Sequence, residues 1–183
     1  MVLFASLIHI SALRFVPFIF IVNGRAGNLR TIGFLIAVII SFFFVDQITD
    51  FLVDTMENTA YEGDIEFLLN DDGTNIVRVL FYSVPAIMSF VFRPYIDTAN
   101  DPLINVCANL SVTAAGFYLF SLFTSGILMG AMPIYFSLAN YILIPWLITE
   151  VFEPASSVLI ETVFVGVYSF FFYYQMGPTW GLL

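Results

Sequence analysis

The sequence predicts an all-α, polytopic integral membrane protein with about six transmembrane helices. Of its 183 residues, 60% are apolar and only 10% are charged. A soluble domain carries roughly 25% charged and 45–50% apolar residues. The apolar residues form runs of about 20, the length that a helix needs to cross the hydrocarbon core. No alternating pattern of strands about 10 residues long is visible, so helices are favoured over an outer-membrane barrel.

The candidate membrane spans are apolar runs separated by polar or charged residues. In order along the chain they are residues 1–23, 31–49, 76–92, 103–123, 132–149 and 157–174. Pro85, Pro133 and Pro145 lie in or at the start of these runs, where proline kinks a helix or breaks its hydrogen-bond ladder.

The arginines predict the orientation, because loops on the cytoplasmic side are enriched in basic residues. Arg25 and Arg30 follow the first run and Arg93 follows the third, so both loops are expected in the cytoplasm. The segment 47–75 is then a long extracytoplasmic loop. The carboxylates in or beside it are Asp46, Asp50, Asp54, Glu57, Glu62, Asp64, Glu66, Asp71 and Asp72.

In this orientation both chain ends lie outside the cell, and both fall next to apolar segments without a polar tail. We therefore expect residues 1–183 to form one transmembrane domain that is a fragment of a larger polytopic protein.

Charge and composition exclude several kinds of partner. The formal net charge is −9, which opposes binding to the phosphates of nucleic acid. His9 is the single histidine and Cys107 the single cysteine, so the sequence argues against a zinc site or a disulfide framework. We expect no cofactor.

Asp46, Asp50 and Asp54 are spaced by four residues. If the second span continues as a helix beyond the membrane, these carboxylates form one stripe along it. Such a stripe suits a cation or a basic partner, and it equally suits a solvated face that keeps the loop away from lipid.

Arg78 is the sharper candidate, since it stands where the chain re-enters the membrane after Asp71 and Asp72. A guanidinium there suits the phosphate of a lipid, because it binds phosphate through two hydrogen bonds and stays charged when partly desolvated. The alternative is an interfacial arginine that pairs with Asp71 or Asp72.

Polar residues inside the spans are the remaining candidates. His9 and Arg14 interrupt the first run. A proton-transfer role is conceivable for His9, as is a packing role, and Arg14 either extends to the membrane interface or pairs with a carboxylate. Asn105 and Asn109, four residues apart, are expected to join helices by hydrogen bonds.

Several stretches together resemble the EpsG family of exopolysaccharide and capsule polymerases, over nearly the whole chain. The matching stretches, in order, are Leu7-Ile-His-Ile-Ser-Ala-Leu13, Asn70-Asp-Asp-Gly-Thr-Asn-Ile-Val-Arg78, Ser125-Gly-Ile-Leu-Met-Gly130, Pro133-Ile-Tyr-Phe136 and Asn140-Tyr-Ile-Leu-Ile-Pro-Trp146. They correspond to the C-terminal half of these proteins.

The resemblance implies a Wzy-like glycosyltransferase in the bacterial cytoplasmic (inner) membrane. Such an enzyme joins undecaprenyl-diphosphate-linked oligosaccharide units, alone or with other polysaccharide-assembly proteins. On that reading Arg78 stabilises the diphosphate, and the catalytic base is Asp71, Asp72 or His9. The candidate substrate contacts are Tyr61, Asn75, Tyr135 and Arg14.

One position departs from the family pattern. Members commonly have Gly-Arg before the Pro-Ile-Tyr-Phe stretch, whereas this chain has Gly130-Ala131. If that arginine binds the leaving group, this chain is impaired. A non-catalytic remnant is therefore one alternative. The polar residues within the first and fourth spans and the prolines favour another, a small transporter or lipid-glycan flippase.

Overall fold

The computed structural model describes residues 15–57, 59, 62–70, 73–124 and 126–179. All regular secondary structure in these ranges is helical, which confirms the predicted fold class. The chain divides into two compact units, Met1–Leu143 and Ile144–Leu183. The expectation of a single domain stays a prediction.

The α-helices of the described residues follow one another with short connections. They are α1 (Val16–Val22), α2 (Leu29–Ser41), α3 (Val45–Met56), α4 (Ile65–Asn70), α5 (Ile76–Val91), α6 (Arg93–Ala99), α7 (Pro102–Phe120), α8 (Gly126–Ser137), α9 (Asn140–Val151) and α10 (Pro154–Tyr174). Short 3₁₀ or π turns lie at Phe42–Phe44, Glu62–Asp64 and Gln175–Thr179.

Five of the six predicted spans correspond to membrane-length helices. Four helical stretches are long and apolar enough to cross a membrane: Leu29–Met56, Pro102–Phe120, Met132–Val151 and Pro154–Gly177. Helices α5 and α6 qualify together as a fifth, although the chain bends by 63° between them. The first predicted span, 1–23, lies largely outside the described residues, and α1 is its described part.

The sharp bend between α5 and α6 falls where sequence reasoning did not place it. Pro85 lies inside α5, which continues as one helix to Val91. The break comes at Phe92 and Arg93, directly before Pro94 in the first turn of α6. Pro94 has no N–H to continue the hydrogen-bond ladder of α5, and proline fits the first turn of a new helix, which accounts for a break at this point.

Much of the segment predicted as an acidic loop is helical. Helix α3 begins directly after the turn at Phe42–Phe44, so the second span does continue as a helix. Asp46, Asp50 and Asp54 lie along it and are exposed. Since exposed charges are screened by water and salt, their mutual repulsion is modest.

Helix α7 is the centre of the first unit, where it packs against α2, α5 and α8. Its buried residues are mostly small or polar, such as Ser111, Thr113 and Gly116. A Cβ added at Gly116 would lie 2.8 Å from the ring of Phe34, so the glycine lets α2 approach closely. Small residues permit this close packing of helices in a membrane.

The two predicted basic loops lie together, at what we call the arginine-rich end (residues 22–30, 93–97 and 100–109). A Cβ added at Gly27 would lie 3.3 Å from Nη1 of Arg93. Arg93 pairs with Asp97 at 3.4 Å. The structure therefore places on one side the two loops that the positive-inside rule assigns to one side.

Asn105 and Asn109 join elements at this end, as predicted. The side-chain oxygen of Asn105 accepts from the N–H of Ala26, and that of Asn109 from the N–H of Gly27, both at 2.8 Å. The amide nitrogen of Asn109 donates to the carbonyl of Val22 at 2.9 Å. Their partners are the backbone groups of Val22, at the end of α1, and of the turn that follows it.

Candidate functional site

The candidate site lies at the opposite end of the first unit, which we call the acidic end (residues 73–78 and 118–124, with the adjoining Asp46 and Asp50 of α3). The backbone N–H of Thr74 donates to the carbonyl of Ser121 at 2.7 Å. Gly73 has a φ of +83°, and a Cβ there would lie 2.8 Å from the carbonyl oxygen of Leu122. A glycine is therefore required here, and it fixes the start of α5 against the end of α7.

Arg78 lies in the first turn of α5 and is partly buried. Its backbone N–H donates to the carbonyl of Asn75 at 2.9 Å. Asn75, predicted as a sugar contact, caps the helix, since its side-chain oxygen accepts from the N–H of Val77 at 2.8 Å. The cap fixes the backbone from which the Arg78 side chain extends.

Two stacked tyrosines lie one turn further into the bundle. The rings of Tyr82 on α5 and Tyr118 on α7 have centroids 4.4 Å apart and planes 11° apart. Tyr118 is fully buried. The charge of Arg78 acts electrostatically on both hydroxyl groups, and Tyr141 also lies within range of Tyr82. A cation and phenol hydroxyls within electrostatic range of one another can together bind an anionic oxygen.

Three buried polar groups of the described residues, between the middle of α7 and the acidic end, lack hydrogen-bond partners. Ser111 donates a hydrogen bond to the side-chain oxygen of Asn140. The unpaired groups are the amide nitrogen of Asn140 and the hydroxyls of Thr74 and Tyr118. Such groups are few in folded proteins, and each one raises the question of a functional role.

A polar groove runs beside the acidic end. It has a volume of 410 Å³, and its walls include Asp46 and Asp50 of α3. Phe123 and Thr124, which follow Ser121 in the turn after α7, complete it. The turn that holds the start of α5 therefore also forms part of this groove.

The structure leaves most of the sequence-predicted site residues untested. His9, Arg14, Tyr61, Asp71 and Asp72 lie outside the described residues. Tyr135 is exposed, and its ring packs edge-on against Phe15 with centroids 5.3 Å apart. Of the predicted residues, Arg78 and Asn75 are brought together in one helical turn.

Sequence reasoning missed Tyr82, Tyr118 and Asn140. Tyr82 had a signal, because it follows Arg78 by four residues and so shares its helix face. Asn140 begins one of the family-like stretches, but its hydrogen bond with Ser111 depends on helix packing. Tyr118 had no signal, since its position beside Tyr82 depends on the packing of α7 against α5.

Comparison with known proteins supports the resemblance seen in the sequence. A family model described as the EpsG family matches residues 1–177, nearly the whole chain. No curated protein and no solved structure matches the chain.

Proposed function

The chain belongs to the EpsG family, a Wzy-like polymerase family, and on that premise we propose that it polymerises oligosaccharide units carried on undecaprenyl diphosphate. The observation that carries the proposal is Arg78 in the capped first turn of α5, one helical turn before Tyr82, whose ring stacks on that of Tyr118. The product is an exopolysaccharide or capsule, and the location is the bacterial cytoplasmic membrane.

The charge distribution supports placing this chemistry at the outer face. The chain is a multi-pass membrane protein. If the arginine-rich end lies in the cytoplasm, as the positive-inside rule favours, the acidic end with Arg78 faces outward. Lipid-linked units on the outer leaflet then present their diphosphate at the depth of Arg78.

The reaction replaces one bond to the anomeric carbon by another. A hydroxyl oxygen of the incoming unit attacks the anomeric carbon of the growing chain, and the bond to the diphosphate oxygen breaks. The hydroxyl proton passes to a base, and the electron pair of the broken bond leaves on the undecaprenyl diphosphate. No oxidant or reductant is required.

In this scheme Arg78 stabilises the negative charge that develops on the leaving diphosphate. Its guanidinium offers two parallel N–H donors to phosphate oxygens. The hydroxyl of Tyr82, one helical turn away, is a candidate for a further hydrogen bond. Removing one such donor from a transition state costs roughly 3–4 kcal/mol, or ~10²–10³ in rate.

The base and the sugar contacts remain proposals. Asp71, Asp72 and His9 are the candidates for the group that accepts the hydroxyl proton. Tyr61, Asn75, Tyr135 and Arg14 are the candidates for contacts with the substrate. Asn75 also caps α5, so its replacement would shift Arg78 as well as remove a contact.

The test replaces Arg78 in the intact chain. In a host whose own copy is deleted, we expect Arg78→Ala to abolish the long-polysaccharide ladder while an immunoblot shows unchanged protein. Arg78→Lys keeps the charge without the two-pronged geometry, so we expect partial activity. The matched control is Arg30→Ala, an exposed arginine at the other end, with a normal ladder expected. A normal ladder in Arg78→Ala would reject the role of Arg78.

A second experiment replaces Ala131, which lies within α8. If the family's arginine there assists the leaving group, Ala131→Arg should lengthen the polymer made by the chain. The purified protein with lipid-linked oligosaccharide separates a polymerase from a flippase, because only a polymerase forms new glycosidic bonds. Absence of new bonds in both the native chain and Ala131→Arg would overturn the proposed function.

A further inference from the structure

An apolar crevice runs along the first unit on the side of α1. It has a volume of 420 Å³, and one wall is formed by Phe18, Ile19 and Val22 of α1. The opposite wall is formed by Val106 and Leu110, one and two turns into α7. From the start of α7 to Leu110 a helix rises about 12 Å, and α7 is apolar and long enough to span a membrane, so a lipid chain can lie along this wall.

The crevice opens into a polar mouth at the arginine-rich end. This mouth has a volume of 290 Å³ and is lined by Arg25, Asn23 and Asn100 among others. Asn23 and Val106 line both spaces, so the apolar crevice and the polar mouth adjoin each other. An amphipathic ligand fits this arrangement, with its tail between α1 and α7 and its polar group in the mouth.

Hydrogen bonds within the protein hold the backbone of the mouth in place. The amide nitrogen of Asn109 donates to the carbonyls of Val22 and of Arg25, at 2.9 and 3.1 Å. Ala26 is held by Asn105. The backbone that carries the Arg25 side chain is therefore fixed, which lowers the entropy lost when a ligand binds.

The charge of the mouth suits an anion. Arg25 is exposed, and among the described residues no ion pair or hydrogen bond of its guanidinium is found. The nearby carboxylates are engaged: Asp97 pairs with Arg93, and Asp101 accepts the backbone N–H groups of Leu103 and Ile104 at the start of α7. None of the residues that line the crevice or its mouth is acidic.

We propose that this crevice and its mouth bind one anionic phospholipid, with the acyl chain between α1 and α7 and the phosphate at Arg25. The site is distinct from the acidic end and does not depend on the polymerase activity. Basic pockets between helices at the cytoplasmic surface suit anionic headgroups, and each arginine near the surface contributes about 1 kcal/mol.

The test compares two lipids that differ only in the headgroup. The purified whole chain is examined by native mass spectrometry with dioleoylphosphatidylglycerol, which is anionic, and dioleoylphosphatidylcholine, which is zwitterionic. We expect phosphatidylglycerol to bind more tightly. Arg25→Ala should weaken phosphatidylglycerol binding about fivefold and leave phosphatidylcholine unchanged. Arg30→Ala, also exposed at this end but outside the mouth, is the control and should change neither.

A second set of variants fills the crevice. Val106→Trp should reduce the binding of both lipids, whereas Leu103→Trp, exposed on the same helix outside the crevice, should not. Ile19→Trp fills the crevice from the other wall and replaces Val106→Trp if thermal unfolding shows that the latter fails to fold.

Several outcomes would overturn the proposal. The proposal is rejected if the two lipids bind with equal affinity, or if Arg30→Ala weakens binding as much as Arg25→Ala. It is also rejected if the tryptophan variants bind lipid as well as the native chain. Displacement of the lipid by inorganic phosphate would show that the crevice contributes nothing. Crosslinking from a photoreactive residue at Leu110 to another part of the chain, or to a second copy, would identify a different occupant.

Discussion

Buried polar side chains at the arginine-rich end differ in their hydrogen bonding from those between the middle of α7 and the acidic end. Asn109 and Asn140 are both almost fully buried. Both polar atoms of Asn109 have partners in the turn after α1. Asn140 has a partner for its oxygen alone, and Thr74 near Arg78 has none for its hydroxyl. Complete hydrogen bonding indicates a structural role, whereas incomplete bonding directs attention to a site for a ligand.

The largest expected effect is at Gly73, on the side of the acidic end. Gly73→Ala places a Cβ 2.8 Å from a backbone carbonyl oxygen, in a backbone conformation with a φ of +83°. Because neither strain can be relieved by a side-chain movement, we expect a loss of about 3 kcal/mol in the free energy of unfolding. Thermal unfolding of the purified protein in detergent measures it.

The control is Gly33→Ala in α2, where an added Cβ meets nothing within 4 Å. There we expect a gain of about 1 kcal/mol, the helix propensity difference. Equal stability of the two variants would show that the joint between Gly73 and the end of α7 is not rigid.

The next effect is at Asn109, on the side of the arginine-rich end. Asn109→Ala leaves the N–H of Gly27 and the carbonyl of Val22 without their partner. We expect the free energy of unfolding to fall by about 2 kcal/mol. Thr162→Ala is the matched control, because that exposed hydroxyl bonds only to the carbonyl of its own helix at Val158; it should change stability by less than about 0.5 kcal/mol.

The smallest effect is expected at Asn140, and it tests the comparison most directly. Asn140→Leu removes the amide nitrogen that lacks a partner. Ser111 then donates to the carbonyl of Cys107, which is already 3.0 Å away. Because no buried donor is left unpaired, we expect a change within about 0.5 kcal/mol. A loss as large as that of Asn109→Ala would show that Asn140 is a structural residue of the same kind.

The sequence predicts the helical fold and the polar residues on a single helix better than it predicts contacts between helices. The spans follow from the lengths of the apolar runs, and the spacing of Asn105 and Asn109 correctly predicts hydrogen-bonding residues. Their partners could not be predicted, because the turn after α1 depends on the positive φ angles of Gly24 and Gly27.

In the candidate site, too, residues on one helix are predictable from the sequence and contacts between helices are not. Arg78 is recognisable from its position after Asp71 and Asp72, and Tyr82 lies at a predictable distance from it on one helix. Tyr118 reaches them only because α7 packs against α5. Such packing is set by small residues such as Gly116, whose partner Phe34 is far away in the sequence.

The hydrogen bonds of Asn109 also set an order of events during synthesis. Val22 and Asn109 are separated by 87 positions, and a ribosome adds roughly 5–20 residues per second. For roughly 4–17 s after Val22 is made, the turn that follows α1 therefore lacks the side chain that completes it. The turn stays incomplete while α2 to α6 are made, and Asn109 of α7 then completes it.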